Sequence, residues 1–153
     1  MAGFASLLAA SAALRVASLD LCSDEYLLLL ARPDEIASVS RVSHDPADSS
    51  LWQQARHYPA NRRGLEGVIA TRPTLLLSMG GGGRATSLIA ERLHLRTMAL
   101  AYPSSIAEVE MTMVRVARAL GDRHRADGWR RRLAVLRGSP LLQRDAIFLS
   151  GGG

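Results

Sequence analysis

The sequence predicts an α/β domain built on a parallel sheet, and three observations carry that reading. Along most of the 153 residues, short β-type apolar runs alternate with segments of helical period. One run, Thr74 to Ser78 ("TLLLS"), has the near-continuous apolar pattern of a strand buried on both faces. Finally, 48% hydrophobic and 22% charged residues describe one soluble globular domain with a core of its own.

The elements follow in order. Gly3 to Ala13 ("GFASLLAASAA") is an apolar run ending in small residues, with Ala10-Ser11-Ala12 fitting an A-x-A cleavage pattern. Residues 1–13 are therefore expected to be a signal peptide, although a basic n-region is lacking. The run is too short to span a bilayer, which takes about 20 apolar residues, so no membrane insertion is expected. Arg15 to Leu19 reads as the first strand. Ser23-Asp24-Glu25 then opens an acid-rich, capped helix that Pro33 closes.

Ile36 to Ser40 is the second strand, followed by the turn-rich stretch Arg41 to Ser50 and a short helix near Leu51 to Arg56. Gly64 to Arg72 reads as a helix stopped by Pro73. Thr74 to Ser78 is the third strand, Ala85 to Leu93 its helix, and Arg96 to Ala101 the fourth strand. Beyond Tyr102 to Ser105, one apolar stripe (Val109, Met113, Val116, Leu120) and, after Gly121, another (Trp129, Leu133, Leu136) form a long helical region, roughly 48 Å if continuous. Arg144 to Ser150 has a strand pattern with no partner after it, which reads as the entry to a second domain.

All 19 basic residues are arginine, and the net charge is +5. Arg115, Arg118, Arg123, Arg125, Arg130, Arg131, Arg132 and Arg137 cluster late in the chain, but with 5% aromatic residues and no reader motif they describe a solvated helix face, and no nucleic-acid partner is expected. The single Cys22 excludes an internal disulfide and a C-x-x-C site.

Gly80-x-Gly82-x-x-Ala85 formally matches a dinucleotide fingerprint. The next strand, however, ends Ala99-Leu100-Ala101-Tyr102 without the acidic residue that holds a ribose. Without lysine, a P-loop is excluded. A Rossmann-like enzyme domain using Gly80 to Gly83 for a nucleotide or phosphorylated substrate stays as the competing reading.

No serine lies in a G-x-S-x-G elbow. The histidines His44, His57, His94 and His124 share neither a helical face nor a metal spacing. The pattern therefore points to binding without catalysis, with no metal or cofactor expected. Open α/β sheets bind ligands at the carboxyl ends of their strands. That edge should carry Leu21 and Cys22 after the first strand, Ser43, His44 and Asp45 after the second, Met79 to Gly83 after the third, and Tyr102 after the fourth.

The order of "RVASLDLCSDEYLLLLARPDEIASVS", "SHDP", "NRRGLEGVIATRPTLLLS" and the helical region after "YPSSIAEVE" resembles the class III periplasmic substrate-binding proteins of ABC importers, which carry cobalamin, ferric siderophores and heme. The similarity covers about residues 15 to 150, and its most specific piece is Gly64 to Ser78. It implies an N-terminal, Rossmann-like α/β lobe over 14–104, a long bridging helical region over 105–138, and the start of a truncated second lobe over 139–153.

The resemblance also implies a periplasmic, monomeric protein that hands a metal chelate or corrinoid to a membrane permease. It places Leu21, Cys22, Val42, Ser43, His44, Met79, Gly80, Gly81 and Tyr102 on one side of an inter-lobe cleft. Glu66 resembles the acidic residue with which such lobes dock onto the permease. Met79 stands where corrinoid carriers often present an aromatic, which keeps iron complexes in view.

Overall fold

The computed structural model describes residues 13–61 and 65–137. The expected leader, apart from Ala13, and the segment 139–153 with its strand at Arg144 to Ser150 lie outside the described residues. The chain divides into two compact units, residues 1–102 and 103–153.

The first unit is a five-stranded, wholly parallel sheet of β1 (Val16–Ser18), β2 (Ile36–Ser40), β3 (Ala60–Asn61), β4 (Leu75–Met79) and β5 (Arg96–Leu100), in the order β3-β2-β1-β4-β5. Every residue of β1, β2 and β4 is buried, which explains why their sequences read as unbroken apolar or small-residue runs instead of alternating ones. β5, at the sheet margin, is exposed at most positions and buries only Leu100.

Helices α1 (Leu21–Leu30), α2 (Trp52–Ala55), α3 (Leu65–Ile69) and α4 (Gly83–Arg92) connect the strands. Ala17, Ala37, Val68, Leu76 and Ala90 pack as one apolar cluster with Leu19 and Leu95 against it. The small alanines at three of these positions let helix and sheet approach closely.

β3 is a strand the sequence pattern does not predict. Two residues are too few to show a period, and the segment is held partly by a side chain: Asn61 Nδ2 donates to the Ser18 carbonyl at 2.7 Å and to Ser38 Oγ at 3.1 Å. α1 also begins earlier than expected. Its N-cap is Asp20, whose carboxylate accepts the Ser23 amide at 2.9 Å.

The second unit differs from one long rod. α5 (Ile106–Ala119) is capped by Ser105, which accepts from the Glu108 amide, while Glu108 returns to the Ser104 amide at 2.6 Å. α5 then stops. Gly121, at φ +86°, donates to the Arg118 carbonyl at 2.9 Å, and Asp122 donates to Ala117 at 3.1 Å, the paired bonds of a left-handed helix stop.

After a single 3₁₀ turn at Arg123–Ala126, α6 runs from Asp127 to Arg137. Glu110 of α5 accepts from Arg130 at 2.8 Å and also pairs with Arg137, and Arg132 lies over the Trp129 ring at 4.7 Å. The helical region expected over 105–138 is thus two helices broken at Gly121. The two apolar stripes belong to separate elements.

Candidate functional site

The chain leaves β1 toward β2 on one side of the sheet, and leaves β4 toward β5 on the other. Connections that diverge from neighbouring parallel strands open a crevice at their carboxyl ends. A cavity of about 280 Å³ lies there. Leu19 to Cys22 after β1, Ser40 to Val42 at the end of β2, Met79 at the end of β4 and Tyr102 beyond β5 line it.

Two buried or half-buried carboxyl groups build this rim. Asp20 ties two elements together: one oxygen caps α1, and the other accepts the Met79 amide at 2.7 Å. Asp24, fully buried in the first turn of α1, accepts the Ser40 amide at 2.9 and 3.1 Å and the hydroxyls of Ser18 and Ser40. Burial pushes its carboxyl above the ordinary range, against the downward pull of the Ser18 and Ser40 donors. Asp24 thereby joins β1, α1 and the end of β2 directly beneath the cavity.

The expected site residues divide. Leu21, Cys22, Val42, Met79 and Tyr102 line the one cavity, and Tyr102 is 73% exposed. Ser43 lies below the rim, fully buried, donating to the Ser40 carbonyl at 2.8 Å. His44 faces a neighbouring hollow of about 490 Å³ with Arg41, Asp45, Pro46 and Ala60; its Nε2 is buried and has no hydrogen-bond partner among the described residues.

Gly80 and Gly81 stand beside the cavity. A side chain at Gly80 would meet the Tyr102 ring at 3.4 Å. Glu66 falls in the short helix α3, and its side chain lies outside the described ones.

All four residues of Gly80 to Gly83 have positive φ, between +64° and +85°. Consecutive residues of the same hand do not form the alternating nest that cradles phosphate. The run is glycine because no other residue adopts four such conformations in succession without strain.

Cys22 is exposed, but burial of its sulfur and the nearby Asp20, Glu25 and Asp24 push its thiol up, away from the reactive thiolate. Among the described residues no group of three His, Cys, Asp or Glu side chains is placed to hold a metal ion. The residues that sequence reasoning missed are Leu19, Asp20, Ser40 and Arg41. Only Asp20 carried a signal, as a cap-type residue just before an apolar helix.

In a search of solved structures, the periplasmic heme-binding protein HutB of Vibrio cholerae superposes with a TM-score of 0.68 at 15% identity, over 86% of this chain and 51% of that one. A periplasmic heme-binding protein from Pseudomonas aeruginosa gives 0.64 at 21% identity, over 80% and 45%. The periplasmic vitamin B12-binding protein BtuF of Vibrio cholerae gives 0.59 at 20% identity, over 80% and 49%. This chain has the fold of these binding proteins. It spans about half their length.

No protein-family model matches the chain, and no curated protein matches it in sequence. Among the described residues, no helix is long and apolar enough to cross a membrane.

Proposed function

We propose that the chain is the substrate-binding component of an ABC importer, exported to the periplasm and acting as a monomer. It binds an iron complex (heme or a ferric siderophore) or cobalamin at the carboxyl edge of its sheet and delivers it to a membrane permease. The observation that carries this reading is the cavity at the β1/β4 switch point, on a fold shared with heme- and vitamin B12-binding proteins.

The cavity wall is mainly hydrocarbon from Leu19, Leu21, Val42 and Met79, with Tyr102 standing at its mouth. Such a surface suits the face of a large, flat, partly apolar ligand. No step of bond making is required. The thiol in the wall is held protonated, and the imidazole of His44 belongs to the adjoining hollow.

Calorimetric titration of the protein with heme, a ferric siderophore and cobalamin is expected to show saturable binding of one of the three. Heat of dilution alone with all three overturns the assignment.

A further inference from the structure

We infer that Arg41 selects the cargo by pairing with a carboxylate on an otherwise apolar ligand, so that the cavity favours a carboxylate-bearing tetrapyrrole such as heme over cobalamin, whose periphery is largely amide. The inference rests on the proposed function and narrows it.

Among the described residues, the charged side chains that line the cavity are Asp20 and Arg41. Asp20 is already engaged, one oxygen by the Ser23 amide and the other by the Met79 amide. Arg41 is exposed and has no carboxylate or carbonyl partner for its guanidinium among the described residues.

The main chain that carries Arg41 is nonetheless firmly held. Ser40, just before it, is anchored on Asp24 through both amide and hydroxyl, and the Val42 carbonyl, just after it, accepts the Asp45 amide at 3.1 Å. Arg41, on a fixed stem and lining the cavity with Leu21, Val42 and Met79, offers both halves of a recognition element: an apolar wall at the same cavity and a planar donor fork with no carboxylate or carbonyl partner among the described residues. The partner that fits such a fork in two parallel hydrogen bonds is a carboxylate. The neutral thiol of Cys22 offers no competing charge.

Arg41 also borders the adjoining hollow that holds His44 and Asp45. Asp45 directs one oxygen to the Ala47 amide at 2.8 Å and makes no ion pair with Arg41. The guanidinium is therefore free to turn toward the cavity when an anion arrives.

The test is a two-by-two titration of wild-type protein and Arg41→Gln with heme and with heme dimethyl ester, in which both carboxylates are blocked. Arg41→Gln is expected to weaken heme binding about tenfold or more, the scale of one hydrogen bond between charged groups. Esterification is expected to weaken wild-type binding similarly, and the ester should bind variant and wild type alike.

Equal heme affinity of variant and wild type overturns the inference, as does a loss on the ester as large as on the free acid. Cobalamin bound more tightly than heme by the wild type also overturns it, while leaving the importer assignment intact. Failure of the wild type to bind heme, siderophore or cobalamin removes the assignment itself. Because Arg41 is exposed, an unchanged thermal midpoint is expected for Arg41→Gln and separates lost recognition from lost folding.

Discussion

Asp24 is the residue on which the architecture of the rim converges, and its chemistry makes it sensitive to pH. A carboxyl group without water is costly to ionise, whereas the hydroxyls of Ser18 and Ser40 and the Ser40 amide pointed at it favour the charge; burial prevails and its pKa is raised. Since the folded-state value lies above the unfolded one, Asp24's stabilisation is fully present below about pH 3.9 and is lost as pH rises through the folded-state value.

Asp24→Asn removes that titration while keeping the shape. The stability of wild type relative to Asp24→Asn, read from urea midpoints between pH 3 and 8, is therefore expected to fall with rising pH, by at most about 1.4 kcal/mol per pH unit. A difference that grows toward neutral pH would show that the serines hold an ionised carboxylate instead. Glu25, half-buried beside Asp24, is also shifted upward, by burial and then by Asp24's charge, but it is present in both proteins and largely cancels.

At the scale of elements, two helices end in the same way but with different residues. α5 stops at Gly121, for which φ +86° is unstrained. α4 stops at His94, at φ +51°, with the same paired bonds: His94 to the Glu91 carbonyl at 3.0 Å and Leu95 to Ala90 at 2.9 Å. A side chain in this conformation costs roughly 1–2 kcal/mol, while glycine brings an entropic penalty of about 0.5–1 kcal/mol. His94→Gly should therefore stabilise the protein by about 0.5 kcal/mol and raise Tm by about 1–2 °C in a calorimetric scan. A fall in Tm would mean that the imidazole makes a contribution beyond the turn.

The same comparison shows what was legible in the sequence. β1, β2 and β4 announced themselves because parallel strands buried on both faces are apolar or small throughout, and Thr74 to Ser78 is the plainest case; β5, mostly exposed, was read from the helical segment before it and its apolar end. β3 left no mark because Asn61, a side-chain donor, does much of its anchoring. Gly121 was legible as the point where one apolar stripe gives way to another; that the helix stops and the chain turns there was not, because apolar residues continue on both sides of it.

Of the site, the loops after each strand could be read from the carboxyl-edge rule, which brought Leu21, Cys22, Met79 and Tyr102 together. Arg41 could not, since one arginine among 19 basic residues looks like solvated surface until its place on the cavity wall is known. Nor could the separation of Ser43 and His44, adjacent in sequence, into a buried anchor and the wall of a second hollow.

For the whole molecule, the proposed importer role asks that a permease reach a surface beside the sheet edge that would hold cargo. In a parallel sheet each connecting helix starts at the carboxyl edge, and α3, between β3 and β4, does so as well. Glu66, in the first turn of α3, therefore has its backbone on the carboxyl-edge side of the sheet. A carboxylate there gains little from its own helix, since α3 has only five residues, and the field of a helix terminus contributes about 0.3–1 kcal/mol at an exposed position. It is better suited to meeting a basic surface. A basic partner can find a carboxylate by electrostatic steering.

If Glu66 docks the permease as proposed, Glu66→Arg is expected to leave ligand affinity unchanged while lowering uptake of labelled cargo by cells or vesicles carrying the permease by about tenfold or more, the consequence of exchanging an attractive pair for a repulsive one. The two readouts separate docking from binding. Weaker ligand binding by the variant would place Glu66 in the cargo site, and normal uptake would remove it from the docking surface.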